Sequence, residues 1–249
     1  MKIAAREDQP QLTALWEACF GDPQAVVQGF WAAMWDTITV FTNEDGTAMA
    51  TAMPLSWQGK PAAYLYAVAT DPAHQGKGLC RRLMAEAEAY LKEQGFSYAL
   101  LSPAEPSLFR FYEKLGYQTV FFCDRKYFSA AGTSLPVFSV TPEQYGHLRA
   151  KFAPENAVSY PLPLLSLQAS AGSLVKIADI GCAALERTRS GWIARELLSA
   201  EPETASAALC AYLKIPEIEA KTPGKTPYGM AKSLDGSPLL SAYLGFAFE

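Results

Sequence analysis

Histidine and cysteine are scarce in this chain. Of 249 residues, two are histidine and five are cysteine. No C-x-x-C pair occurs among the widely spaced cysteines, which are Cys19, Cys80, Cys123, Cys182 and Cys210. This supply disfavours a disulfide framework, a Cys/His zinc site and a Ser-His catalytic triad. We therefore expect reduced cysteines and no metal.

Long apolar runs and strong charge of either sign are also missing. No apolar stretch approaches the ~18 residues of a membrane span, and the first residues lack the pattern of a signal peptide. Lysine and arginine total 21 against 25 acidic residues, for a net charge of −4. The basic clusters are short, so no nucleic-acid footprint is visible. We expect a cytoplasmic protein without membrane or nucleic-acid partners; the sequence does not indicate its oligomeric state.

What the chain does contain is apolar sequence arranged for packed cores. Half of its residues are hydrophobic, and its length suits two modest domains. The small, polar segment 129–134 is the candidate boundary. The sequence therefore predicts domains at 1–130 and 136–249.

The hydrophobic patterns predict an α/β (α+β) protein. In the first half they predict helices after Asp8 and after Pro23, a long helix ending near Gln94, and a helix at Pro106–Leu115. Strands are predicted at Lys2–Ala5, Ile38–Thr42, Ala48–Trp57, Ala63–Thr70, Tyr98–Ser102 and Tyr117–Phe128. In the second half we expect helices at Thr141–Phe152 and Pro202–Lys214, strands at Leu174–Arg187, Trp192–Leu198 and Ile218–Thr222, and extended segments at Thr226–Ser233 and Leu239–Phe248.

A glycine-bearing loop between a strand and a helix carries the strongest functional signal. Gly76 and Gly78 let the chain turn tightly and let a ligand approach the backbone. The N–H groups that open a helix have no internal partners, and the helix dipole favours negative charge there. Lys77, Arg81 and Arg82 add positive charge. The loop therefore predicts a phosphate or pyrophosphate site.

Two other glycine motifs fail on spacing. A Walker A loop needs glycine five positions before Gly76, where Asp71 stands, and it needs serine or threonine where Gly78 follows Lys77. The dinucleotide fingerprint G-x-G-x-x-G requires a third glycine, and Arg81 occupies that position.

The motif that fits is a different one. The run Gln75–Cys80, after a strand ending at Thr70, resembles the pyrophosphate loop of the GNAT (Gcn5-related N-acetyltransferase) family, with Cys80 in place of the usual Gly or Ala. Residues 109–117 resemble the family's F-Y-x-K-x-G-F/Y helix, and Glu105 stands roughly where an Asn often precedes it. The resemblance implies a mixed, mostly antiparallel sheet flanked by helices, with a smaller C-terminal α+β domain.

The resemblance also implies roles for individual residues. Val68, Ala69 and Thr70 would pair through their backbone with the pantetheine arm of acetyl-CoA. The pyrophosphate would be held by Gln75, Gly76, Lys77, Gly78, Leu79, Cys80 and Arg81. Tyr112 would be the general acid for the departing thiolate, since a tyrosine with a pKa near ~10 is protonated at pH 7. The general base stays open among Glu17, Glu105, Asp124 and the terminal carboxylate of Glu249.

The second half has a similar order of elements but lacks a glycine loop. Glu201 and Glu203 stand at the start of its last helix and would repel a pyrophosphate. The arrangement is loosely similar to the enhanced-intracellular-survival acetyltransferases, in which an active GNAT unit adjoins a degenerate one. We expect one acetyl-CoA site and an N-acetyltransferase acting on a small-molecule or peptide amine. An acyl-CoA-binding sensor or scaffold, and more distantly a Rossmann-type oxidoreductase, are the alternatives.

Overall fold

The computed structural model of the chain describes residues 1–130, 132 and 135–246. The chain forms two compact units. The first comprises Met1–Thr119 and Met230–Leu239, and the second comprises Val120–Gly229 with the residues from Leu240 onward. These bounds differ from those of the domains predicted from the sequence, 1–130 and 136–249. The predicted domains stay a prediction. The predicted boundary at 129–134 lies partly outside the described residues.

A mixed sheet forms the centre of the first unit. Its strands are β1 (Lys2–Ile3), β2 (Thr39–Thr42), β3 (Ala48–Trp57), β4 (Lys60–Thr70) and β5 (Tyr98–Leu101). Its helices are α1 (Gln9–Phe20), α2 (Gln24–Met34), α3 (Leu79–Glu93) and α4 (Pro106–Glu113). Neighbours from β1 to β4 run antiparallel, and β4 and β5 run parallel. Residues 230–233 add a further antiparallel strand beside β5.

Helix α3 packs on one face of this sheet because its apolar residues recur every three or four positions. Leu83, Ala87 and Leu91 are buried against strand residues such as Ala63 and Leu65. On α1, the ring of Trp16 lies 5.4 Å from that of Tyr66 on β4, in an edge-to-face contact. Aromatic contacts thus hold α1 on the strand that leads to the glycine loop.

The second unit repeats this plan with other sequence. Its elements are β6 (Gln118–Ser129), β7 (Val137–Ser139), α5 (Pro142–Phe152), α6 (Leu162–Ser170), β8 (Gly172–Ile177), β9 (Gly181–Thr188), β10 (Gly191–Ser199), α7 (Pro202–Leu213) and β11 (Glu217–Ser233). Strands β7 to β10 are antiparallel neighbours. Strand β10 pairs in parallel with β11, which also pairs with β6. The first two residues of β6 and the last four residues of β11 belong to the first unit. The structure confirms the predicted α/β class.

A buried ion pair lies inside the second unit. Glu196 on β10 has no exposed surface and Arg149 on α5 is 5% exposed. The guanidinium Nε of Arg149 lies 3.0 Å from the carboxylate of Glu196, which also accepts a hydrogen bond of 2.8 Å from the hydroxyl of Tyr145. A charge without exposed surface needs such partners, so removing either member of the pair would leave an uncompensated charge in this core.

Two predictions for the second half are wrong. The single strand at Leu174–Arg187 is two strands, β8 and β9, joined by a turn at residues 178–180. Ala178 adopts φ +41° in that turn, a conformation that its side chain gives no reason to expect. The predicted break between strands at 222–226 does not occur, because β11 continues through it. Asp124 accepts hydrogen bonds there from the backbone N–H groups of Lys225 and Thr226.

None of the helices in the described part of the chain is long and apolar enough to cross a membrane.

Candidate functional site

The site begins where β4 leaves its parallel neighbour. Strand β4 pairs with β5 only over Ala62–Tyr64, while its pairing with β3 continues to Thr70. The register with β3 shifts between Met49 and Thr51, and Ala67 opposite this shift adopts φ +50°. Within the described chain, no strand pairs with the β5-facing edge of β4 beyond Tyr64. Around Val68, this edge of β4 is therefore open to a ligand that adds as a strand.

The loop after β4 exposes the start of α3. Gly76 and Gly78 have φ values of +76° and +75°, a region that residues with a Cβ rarely adopt. Gly78 is the N-cap residue of α3 and, lacking a side chain, makes no capping hydrogen bond. By contrast, the hydroxyl of Thr141 caps α5. The first N–H groups of α3 are therefore left for an external acceptor such as phosphate.

A cavity of about 540 Å³ joins the glycine loop to α4. Its lining includes Val68, Thr70, His74, Gln75, Gly76, Gly78, Leu79, Cys80, Arg81, Leu108, Phe111 and Tyr112. Buried polar atoms normally have a hydrogen-bond partner. The Thr70 hydroxyl is buried without one among the described residues. The cavity therefore has room and an unmet polar group for a ligand.

Tyr112 reaches this cavity from α4. Three side chains of the lining come from one face of that helix, at Leu108, Phe111 and Tyr112, a spacing of three and four residues. Tyr112 is 7% exposed. Burial, and secondarily the neighbouring Cys80, raise the pKa of Tyr112 well above its ordinary value. The hydroxyl therefore holds its proton throughout the neutral range.

Residues 1–120 match the profile described as an acetyltransferase (GNAT) domain. These residues are a GNAT domain. A comparison with curated protein sequences finds no match. The sequence-based recognition is thus confirmed for the half of the chain that carries the loop and Tyr112.

Solved structures extend the likeness in fold to both halves. A conserved protein from Enterococcus faecalis V583, described as a probable N-acyltransferase, has a TM-score of 0.72 at 18% identity, covering 94% of this chain and 72% of that one. Eis1 from Mycobacterium abscessus has a TM-score of 0.64 at 14% identity, with coverage of 94% and 74%. A tandem GNAT protein from the clavulanic acid biosynthesis pathway has a TM-score of 0.62 at 11% identity, with coverage of 95% and 98%. The chain therefore has the GNAT fold in a two-half arrangement.

Most residues predicted for the GNAT site surround the cavity. Ala69 and Lys77 are the exceptions among those predicted. Ala69 is 3% exposed on β4, so only its backbone has a role open to it. Lys77 is exposed, and its ammonium group donates a hydrogen bond of 3.3 Å to the carbonyl of Ala73. The roles of these residues stay predictions.

Four carboxylates are the candidates for a general base. Neither Glu17 nor Glu105 is among the lining residues, and the carboxylate of Glu105 accepts a hydrogen bond from Ser107. In the second unit, Asp124 accepts three hydrogen bonds from Lys225 and Thr226. Glu249 lies outside the described residues.

Sequence reasoning missed two lining residues of the GNAT domain, Leu108 and Phe111. Their signal was present, because they lie four and one positions before Tyr112 on the same helix. His74, which follows Asp71 in the loop, also lines the cavity, and its Nδ1 lies 3.4 Å from the carboxylate of Asp71.

Proposed function

We propose that the GNAT domain is an N-acyltransferase that moves an acetyl group from acetyl-CoA to a primary amine by direct transfer in a ternary complex. One observation supports this most. A single cavity connects the uncapped start of α3, the open edge of β4 at Val68 and the buried side chain of Tyr112. These are the three features that a phosphate-bearing thioester donor requires.

The donor would be held by backbone more than by side chains. The pyrophosphate would accept hydrogen bonds from N–H groups in the segment 75–81, with Arg81 adding charge. The pantetheine arm would pair with the backbone of Val68, Ala69 and Thr70. A polar atom of the donor would satisfy the orphaned hydroxyl of Thr70. The thioester supplies the acyl group and a thiol leaving group.

The reaction would proceed by attack of the neutral amine nitrogen on the thioester carbonyl carbon. A C–N bond forms, the C–S bond breaks, the amine loses a proton to solvent, and Tyr112 gives its proton to the sulfur and regains one from solvent. Burial raises the pKa of the Cys80 thiol in the same cavity to about 11. Burial would also raise the pKa of the departing CoA thiol. The difference between the pKa of that thiol and the raised pKa of Tyr112 is then smaller, which favours proton transfer from Tyr112 to the sulfur.

Proton donation of this kind is worth ~10²–10⁴ in rate. Holding amine and thioester in a reactive geometry can supply roughly 7–11 kcal/mol more. We propose a small-molecule or peptide amine in the cytoplasm as acceptor.

The test is CoA release from acetyl-CoA across a panel of primary amines. We expect turnover with at least one amine, and we expect Tyr112→Phe to lower kcat by about 10²–10⁴-fold with CoA affinity near that of the wild type. Tyr127→Phe is the matched control, because Tyr127 is 72% exposed.

Two outcomes would contradict the proposal. CoA binding without turnover for any amine favours the sensor alternative, and preferential binding of NAD(P) favours the oxidoreductase. Wild-type kcat in Tyr112→Phe would remove this residue from the chemistry.

A further inference from the structure

A buried carboxylate lies on α3, the helix that begins at the glycine loop. Glu88 sits on the core-facing side of α3 and is 7% exposed. A carboxylate in such a position must be paired and hydrogen-bonded. It accepts a hydrogen bond of 2.8 Å from the hydroxyl of Tyr117 and a second from the ammonium group of Lys232. The negative charge of Glu88 is therefore paired with the positive charge of Lys232, which is far away in the sequence.

Lys232 has a second partner in the turn that follows α4. Its ammonium group donates a hydrogen bond of 2.8 Å to the carbonyl of Leu115. Leu115 lies just past the C-terminus of α4, where the helix dipole favours a cation. Gly116 adopts φ +90°, and a Cβ there would lie 3.4 Å from the Lys232 side chain. Lys232 thus packs against the turn that follows α4 and bonds to it.

That turn holds Tyr112 by its backbone and its ring. The carbonyl of Tyr112 accepts hydrogen bonds of 2.9 Å from the N–H of Leu115 and 3.1 Å from the N–H of Tyr117. The rings of Tyr112 and Tyr117 meet edge to face at 5.8 Å. A shift of this turn would therefore move the Tyr112 hydroxyl.

We infer that Lys232 is a positioning residue for Tyr112, acting through Glu88 and the carbonyl of Leu115. This inference rests on the proposed function, because it assigns Tyr112 the work that Lys232 supports. Lys232 lies beyond the residues 1–120 that match the GNAT domain. The candidate site around Tyr112 therefore includes a supporting residue more than a hundred positions after Tyr112 in the sequence.

The kinetic test uses Lys232→Met, which keeps an apolar stem and removes the charge, and Lys232→Arg, which retains it. A misplacement of about 1 Å can reduce a rate by 10²-fold. We expect Lys232→Met to lower kcat by about 10- to 100-fold with little change in KM for acetyl-CoA, and Lys232→Arg to recover most of it. Lys225→Met, at an exposed lysine on the same strand, should behave as wild type.

If Lys232 acts by positioning Tyr112, the effect of Lys232→Met on kcat should require Tyr112. A general structural effect would not require it. In a Tyr112→Phe background, Lys232→Met should cause no further loss of kcat. An equal loss in both backgrounds would overturn the inference. Since Lys232→Met leaves Glu88 buried without its cation, the double variant Glu88→Gln/Lys232→Met removes that charge as well. It should fold and still show the lowered kcat; wild-type kcat in a folded double variant would also overturn the inference.

A spectroscopic measurement needs no turnover. In protein labelled with ¹³Cζ-tyrosine, the Tyr112 resonance is assigned by its loss in Tyr112→Phe. We expect Lys232→Met, and not Lys225→Met, to shift that resonance. An unshifted resonance refutes the placement of Tyr112 by Lys232. A shifted resonance in a protein that turns over no amine upholds the placement and refutes the proposed function instead.

Discussion

Two substitutions at Gly78 separate charge from shape in the phosphate loop. Gly78 opens α3 with φ +75°, and a Cβ built there meets no atom within 4 Å. Asn and Asp have nearly the same shape, and both tolerate this backbone conformation better than other residues with a Cβ. Gly78→Asn and Gly78→Asp therefore carry similar strain and differ by one negative charge.

The added negative charge determines how much more weakly Gly78→Asp should bind CoA than Gly78→Asn. Two unit charges ~4 Å apart interact by about 1 kcal/mol in water and about 4 kcal/mol near a protein surface. The loop is exposed, and each 1.4 kcal/mol is about tenfold in affinity. We expect Gly78→Asp to bind CoA about fivefold to several hundredfold more weakly than Gly78→Asn.

Calorimetric titration with CoA measures the difference. The gap between the two variants should narrow as salt is raised, because the Debye length falls from about 10 Å at 0.1 M to about 3 Å at 1 M. Equal CoA affinities for Gly78→Asp, Gly78→Asn and the wild type would refute the assignment of phosphate to this loop.

Three other predictions concern proton and charge states. Because the pKa of Tyr112 is raised, its acid function is present below that pKa and is lost only above it; kcat should show no Tyr112-dependent decline up to about pH 10. A decline near pH 9 that is absent from the Tyr112→Phe profile would contradict this. Burial raises the pKa of Cys80 to about 11, so iodoacetamide at pH 8 should label it far more slowly than in unfolded protein, as peptide mass spectrometry can measure. Arg149→Met, which leaves Glu196 buried without its cation, should lower the free energy of unfolding by about 3–5 kcal/mol in urea. Arg195→Met removes a partly exposed pair and should lower it by about 0–1 kcal/mol; equal losses would contradict the burial argument.

The sequence predicted the first half well because local chemistry determines it. Glycines at 76 and 78 anticipate the positive φ angles of the loop, and the apolar spacing from Leu79 to Leu91 anticipates α3. The motif at 109–117 led to Tyr112. In each case the signal lies within a few residues of the feature it predicts.

The features that were missed depend on distant parts of the chain or carry no local signal. The turn at 178–180 contains neither glycine nor proline, and helix α6 was not predicted. Lys232 reads as an ordinary strand lysine until the fold brings it to Glu88, 144 positions away in sequence. No pattern within one segment could reveal that pair.

Strand β11 contributes residues to both units, and this affects how the chain folds during its synthesis. Its last residues, 230–233, pair with Tyr98–Leu101 in the first unit, yet the ribosome synthesises them after nearly all of the second unit. At a translation rate of about 5–20 residues per second, residues 230–233 are synthesised on the order of ten seconds after strand β5. Meanwhile its edge is open to pairing with another chain. Nascent chains crowded on one messenger would be most exposed to mispairing in that interval.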